Sequence, residues 1–419
     1  MPFLNGRVSF ARFRVVGPTP GIIDEAHLDA LREGVFTPDD GPAPGELDVG
    51  WTGGEHIYDE RFEHEHNVFA GGEVAHVGLR IDTNRVPAEI ARAVKAQHRV
   101  ALLEDASGRS LTRAQKHELK QMVDEALREE LRSGRHRRSK LVPVVWDAER
   151  SLVLAASGAN TIVEQLCAHW RTSPKGSLEP MSAGSMAHAH LAASGRSRDF
   201  EDLAPSAFTD APTSELPAMP EVPWSRTGPE PHDFLGNEFL VWLWHRCDLG
   251  EGVFEVDGAE VAVVLDRSLD AECAWHRTGK LSLVAHESGI APIRTPEAAT
   301  ALALGKWPRK AGLVLAIDGQ PFSCTLAADR WIVTGAELPD PTEPAESPRE
   351  AAEWRIEQTR RLDGALAGLF AQFIERRASD AWPGERADIR TWIRGRGRPR
   401  AIGFIEATSN EESPIRVAG

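Results

Sequence analysis

The chain has 419 residues, with 63 Asp and Glu against 48 Lys and Arg, a formal net charge of -15, and 41% hydrophobic and 26% charged side chains. That length allows two or three domains and a sizeable core, and no apolar run reaches the roughly 18 residues that a membrane span needs. The opening residues MPFLNGRVSF lack the charged and apolar regions of a secretory signal, so a cytoplasmic location away from any membrane is expected. Four cysteines, Cys167, Cys247, Cys273 and Cys324, show no CxxC spacing, which argues against a zinc knuckle or a disulfide framework.

In chain order, Arg7 to Val16 reads as a first strand, with a bulge at Ala11 and Arg12 to explain why the apolar alternation Val8, Phe10 shifts to Phe13, Val15. Ile22 to Arg32 reads as a short helix, and Val77, Leu79 and Ile81 as a second strand ending at Asp82, Thr83 and Asn84. A helix from Pro87 towards Leu103 and another from Thr112 are separated by a short Asp, Ala, Ser, Gly break, which predicts a helical hairpin projecting from the sheet. Leu141 to Trp146 and Ser151 to Ala156 suggest a β-hairpin, with Pro143 placing its first strand at an edge. Asn160 to Trp170 returns as a helix.

From about Ala193 to His232 the composition turns to Pro, Ser, Ala and acids, as in a linker or disordered insertion. Phe234 to His245 resumes as an apolar helix in which Trp242 and Trp244 are expected in the core. Strands follow at Val253 to Val256, Glu260 to Leu265, Leu281 to Ala285, Gly312 to Ile317, Pro321 to Leu326 and Trp331 to Thr334. Asp318-Gly319 signals a tight hairpin, and Glu350 to Arg377 a long helix. The expected fold is α+β: an N-terminal strand and helix unit (1–190) with the projecting hairpin, a linker (191–232), a β-rich domain (233–345), a C-terminal helix (346–380) and a basic tail (381–419).

Charge distribution points to function. The helix opening at Thr112 has Leu119, Met122, Val123, Ala126, Leu127 and Leu131 on one stripe. Its other face carries Arg113, Lys116, His117, Lys120, Arg128 and Arg132, and past Gly134 the chain continues Arg135, His136, Arg137, Arg138, Ser139, Lys140. From 113 to 140 nine Lys and Arg stand against five acids, a local reversal of the overall sign. Complementing a helix dipole needs fewer cations than this, so an anion-binding surface is expected. Arg80, at a strand end, is expected to be an exposed strand residue rather than part of that surface.

FTPDD, then Gly50-Trp51, the strand VGLRI, the helices with VPAEI and RAQKHELK, the WD and SLVLAAS hairpin and RTPEAATALALGKWPRKAGLVLA follow one another in an order that resembles the RdgC family of bacterial recombination-associated proteins. The resemblance covers most of residues 1 to 345. It implies a homodimeric ring that binds double-stranded DNA without sequence preference through a basic hole, associates with the nucleoid and limits access of the RecA-type recombinase. Some catalogues instead label the family exonucleases. Arg135 and Arg138 match the family's basic turn, whereas His136 stands where it has an aromatic residue, and its Lys-Gln pair falls at Ala291 and Pro292. Lys306, Arg309 and Lys310 in GKWPRK match its GK-containing strand start.

The stretch Arg394 to Arg400 contains Arg396-Gly397-Arg398-Pro399, which looks like an AT-hook that lays arginines along the A·T minor groove. His64-Glu65-His66 with His56, and His188-Ala189-His190, have spacings that could hold a metal on a strand, but surface histidines are the simpler reading. Glu118-Leu119-Lys120 has the ExK form of metal-dependent nucleases but lies on a helix, and no GxGxxG, GxxxxGK[ST] or GxSxG occurs. No cofactor or catalytic residue is therefore assigned. The expected contacts to duplex DNA are Arg113, Lys116, Lys120, Arg132, Arg135, Arg137, Arg138, Lys140, Lys306, Arg309 and Lys310, with Arg396 and Arg398 as accessory minor-groove residues. A metal-dependent nuclease and a protein-interaction module are the rival readings.

Overall fold

The computed structural model describes residues 3–17, 21–37, 47–105, 110–174, 176–226, 230–275, 280–284 and 291–396. In chain order they form β1 (Val8–Val16), α1 (Glu25–Glu33), β2 (Leu47–Thr52), α2 (His64–Asn67), β3 (Val68–Phe69), β4 (Val74–Asn84), α3 (Ala88–Asp105), α4 (Arg113–Arg132), β5 (Arg137–Asp147), β6 (Leu152–Ala155) and α5 (Asn160–Thr172). Then come β7 (Ser177–Pro180), α6 (Ala183–Ala193), α7 (Ser197–Glu201), α8 (Pro223–Arg226), α9 (Phe234–Asp248), β8 (Val253–Val256), β9 (Ala259–Cys273) and β10 (Lys280–Val284). α10 (Pro296–Ala303), β11 (Lys306–Ile317), β12 (Gln320–Ala327), β13 (Ile332–Glu337), α11 (Pro348–Arg377) and α12 (Trp382–Arg396) complete the order. The fold is α+β, and no helix among the described residues is long and apolar enough to cross a membrane.

One antiparallel sheet runs through the protein in the order β10-β9-β11-β12-β13-β1-β6-β5-β4-β2. β1 joins strands from the two halves of the chain, pairing with β13 on one side and with β6 and β7 on the other. Its apolar residues divide between two cores: Val8 and Phe10 face the one built with α9 and α11, while Ala11, Phe13 and Val15 face the one built with α1 and α5. The alternation is therefore regular through Ala11 and Arg12, where a bulge was expected; the apolar side changes because a different core covers each face. The register shift lies instead between Val8 and Phe10, against β13.

Pro143 also has a different meaning from the expected edge position. β5 lies between β4 and β6, and the Pro143 carbonyl accepts the Ala156 N–H at 2.9 Å. In an antiparallel strand the N and O of one residue point the same way, so the missing N–H faces the place where the β6 ladder ends. The Asp318-Gly319 turn does form the expected hairpin, joining β11 to β12 with φ of 48° and 76°.

Two segments expected to be loose are packed. In the 191–232 region Phe200, Phe208 and Val222 are buried, Ser206 N–H donates to Glu238 at 2.5 Å, Arg377 donates to the Ala204 carbonyl at 2.6 Å and Trp275 to the Pro217 carbonyl at 3.0 Å. Isolated aromatics anchor a Pro-rich chain there without any periodic pattern. Likewise 382–396 is a helix, α12, with Trp382, Ile389 and Ile393 buried against α9 and α11. Trp242 and Trp244 are core residues as read, with Trp242 donating to Glu385 at 2.6 Å.

α11 is tied to the turn after β5 by Arg360, whose guanidinium reaches Asp147 at 2.8 Å, Glu149 at 2.7 Å, Glu73 at 3.1 Å and Glu357 at 3.2 Å. The Arg360 and Asp147 side chains are only 7% and 4% exposed, so removing the cation leaves a carboxylate in the interior. Arg360→Met should lower unfolding stability by about 3 kcal/mol, measured by urea denaturation. At the end of β13, hydrogen bonds from Ser323 and Arg267 hold the Glu337 carboxyl down at about 2. A carboxyl depressed on folding stabilises above its ordinary pKa of 4.5 and loses that contribution as pH falls towards about 2. Glu337→Gln should therefore flatten the acid limb of a melting-temperature profile between those pH values.

Candidate nucleic-acid interface

The predicted basic helix is present. Thr112 caps α4, its hydroxyl accepting the Gln115 N–H at 3.3 Å while Gln115 Oε1 accepts the Thr112 N–H at 3.1 Å. α3 packs antiparallel to α4, and among their described residues only Leu102 and Leu119 are buried. The pair is a hairpin closed mainly on itself, leaving the end of β4 and re-entering at the start of β5. Asn84 Nδ2 donates to the Leu131 carbonyl at 3.0 Å and fixes its root.

The expected cations fall into two groups. Arg113, Lys116 and Lys120 lie exposed on the first two turns of α4, at the hairpin tip. Arg135, Arg137, Arg138 and Lys140 lie exposed at its root, where β5 begins opposite Asn84, Thr83, Asp82 and Ile81. At about 1.5 Å per residue, α4 separates tip from root by roughly 28 Å, the length of about eight base pairs at ~3.4 Å each. Between them the helix neutralises itself: Arg128 pairs with Glu125 at 3.0 Å and Arg132 with Glu129 at 3.4 Å. His136 lies 3.1 Å from Glu130 and is mostly buried, so it offers no stacking surface in place of the aromatic residue expected there.

Pairing elsewhere sharpens the contrast. Among the described residues, Arg85, Lys95, Arg99, Arg113, Lys116, Lys120, Arg135, Arg138 and Lys140 have no acidic partner within 4.0 Å, whereas most arginines outside 85–140 sit in ion pairs, as Arg12, Arg61, Arg309, Arg360 and Arg377 do. Arg85, Lys95 and Arg99 were not among the expected contacts. Lys95 and Arg99 are one turn apart on α3, and the four-residue spacing that identified α4's polar face was their signal.

Several expected contacts are placed otherwise. Arg309 is half-buried and bound to Asp329 and, at 3.0 Å, to Glu272. Burial works against its charge, but the two carboxylates outweigh that and raise its pKa. Lys306 is half-buried at the start of β11, and only Lys310 of that trio is exposed. Arg396 is not in an extended tail but in the last turn of α12, bound to Asp248 at 2.6 Å and lying over the Trp244 and Trp392 rings, so its guanidinium is engaged within the fold and not held out for a minor groove. Arg398 lies outside the described residues. Arg80 is buried rather than exposed, donating to Asp82 at 2.9 and 2.7 Å and to the Ile57 carbonyl at 3.1 Å, with its guanidinium 3.9 Å above the Phe36 ring.

Of the histidine pairs, His188 packs on Phe200 and His190 lies 2.7 Å from Glu375, so they do not converge. His64 and His66 lie on α2, a helical turn rather than a strand, and His66 turns to Asp59 at 3.0 Å. Burial works to raise the Asp59 carboxyl, yet hydrogen bonds from Arg61, His66 and the backbone hold it at about 2. His76 nearby is fully enclosed, and burial pushes its imidazole down to about 4.

No family model matches the chain, and no curated protein matches it either.

Because the Asp329 side chain is 6% exposed, Arg309→Ala should cost about 2 kcal/mol of stability. Urea denaturation of the variant against the parent reads that loss.

Proposed function

We propose that this protein binds double-stranded DNA without regard to sequence, laying the hairpin and its root against the phosphate rails. One observation carries the reading: in a chain of net charge -15, residues 85 to 140 hold fourteen Lys and Arg against eight acids, and the cations without an acidic partner concentrate there. A paired arginine has already exchanged its hydration for a carboxylate; an exposed unpaired one keeps its charge for an external anion. Two cationic groups spaced by about eight base pairs suit a rod-like polyanion better than a small ligand or a folded acidic protein. The resemblance to the RdgC family supports the same ligand and extends the proposal to a homodimer that restrains a recombinase by occupying its DNA. No step of that role needs bond chemistry on the DNA.

Affinity resting on phosphate contacts falls with salt along a slope of roughly 0.9 per contact. Arg135→Glu, Arg138→Glu and Lys140→Glu together should weaken binding to unrelated duplexes equally and reduce that slope by about 2 to 3, read by fluorescence anisotropy across a salt series. A triple variant that is folded by circular dichroism and keeps the parent's slope removes the root of the hairpin from the interface.

A further inference from the structure

Glu55 and Asp59 on the loop between β2 and α2 and His66 on α2 each present one ligand atom, and the three atoms lie within 4.8 Å of one another. Asp59 is the fixed point. Its side chain is wholly buried, Oδ2 accepts the Glu55 N–H at 3.0 Å and lies 3.0 Å from His66 Nε2, and Oδ1 accepts the Arg61 backbone N–H at 3.3 Å. Gly53 and Gly54 line the site because nothing larger fits: a Cβ would stand 2.6 Å from Asp59 Oδ2 at the first and 3.0 Å from His76 Nδ1 at the second. Asp59 and a second imidazole therefore flank the same glycine pair. His76 is 3% exposed, its Nε2 has no hydrogen-bond partner, and its ring lies within electrostatic reach of His66 and Asp59. Two carboxylates and an imidazole whose ligand atoms converge in this way, one of the carboxylates wholly buried, form a donor set for a cation.

Arg61 now supplies the positive charge, with Nε 2.9 Å from Asp59 Oδ1 and the guanidinium also on Glu55. Its side chain is 49% exposed and can leave for solvent, whereas Asp59 cannot. We propose that Glu55, Asp59 and His66 form a site for a divalent cation of the zinc type, which Arg61 occupies when the ion is absent. An imidazole nitrogen with two carboxylate oxygens is a zinc-compatible donor set at bond lengths of about 2.0 to 2.2 Å, which places neighbouring ligand atoms roughly 3.4 Å apart. The triad must close by a little over 1 Å, and the Glu55 side chain, 54% exposed, has the freedom to do so. Three protein ligands leave a fourth position open. The site is independent of the hairpin and of the DNA reading.

The test is calorimetric titration of the full chain, freed of metal by chelation, with zinc ion, repeated with cobalt(II) so that visible absorption reports the coordination geometry. Arg61→Ala should bind about tenfold more tightly than the parent, and His66→Ala about tenfold or more weakly, while His64→Ala should behave as the parent. Binding that appears only in Arg61→Ala and vanishes in the Arg61→Ala, His66→Ala double variant supports the site equally. Zinc affinity that neither Arg61 nor His66 alters, or its absence from both the parent and Arg61→Ala, overturns it. Circular dichroism of each variant separates lost binding from lost fold.

Discussion

The antiparallel ladder between β4 and β5 is the constraint on which the functional reading depends. It runs without a register shift from Val74 opposite Asp147 to Asn84 opposite Arg137. At one end Asp147 receives Arg360 and binds the sheet to α11. At the other the ladder outlasts the core: Val142 is buried, whereas Arg138 and Lys140, on the same face four and two residues earlier, are exposed. Side chains alternate across a strand, so a slip of one residue would turn Arg138 and Lys140 over and carry the Val142, Val144 and Trp146 row out of its core. Apolar burial thus sets the direction in which the cations point, and Arg80, enclosed by Asp82, Phe36 and the Ile57 carbonyl, secures the loop above the ladder.

Charge is used in two ways in this protein. Inside, arginines act as fasteners: Arg360 and Arg377 each join elements distant in sequence through a buried carboxylate, Asp147 and Glu238, and the half-buried Arg309 holds β11 to the buried Asp329. Such pairs fix one packing arrangement at little net gain, because desolvation offsets attraction. On the hairpin, lysines and arginines stand in solvent, and the acids of α4 neutralise only its middle and C-terminal turns. Two arginines of equal formal charge can therefore have opposite meanings, and what separates them is the carboxylate within reach.

That distinction also marks how far the sequence could be read. The hairpin, its capping box, the basic root and the Asp318-Gly319 turn are local features, written in residues a few positions apart, and they were legible. Arg309 and Arg396 were assigned to DNA because their partners are not local: Asp329 is twenty residues downstream, and Asp248 lies on α9, a helix in another part of the chain. The packed 197–226 segment escaped for a related reason, since Phe200, Phe208 and Val222 find the core one at a time and leave no period to detect. α12 has a stripe, Trp382, Ile389 and Ile393, but its glycines and arginines masked it. Arg85, Lys95 and Arg99 stand out less in the sequence because α3 lacks a dense basic cluster.

β1 has a consequence for how the molecule is made. It sits inside the sheet, and its neighbour on one side, β13, is contributed by residues 332 to 337. β6 and β7 can join it once about 180 residues have left the ribosome, but its other edge must wait for most of the chain. Loop closure over such a separation is slow, and until it happens a strand bearing Val8 and Phe10 offers open backbone hydrogen-bonding groups to whatever is nearby. Among the described strands, the last to be synthesised is thus the one that seals β1, and the nascent protein is most prone to mispairing in the interval between them.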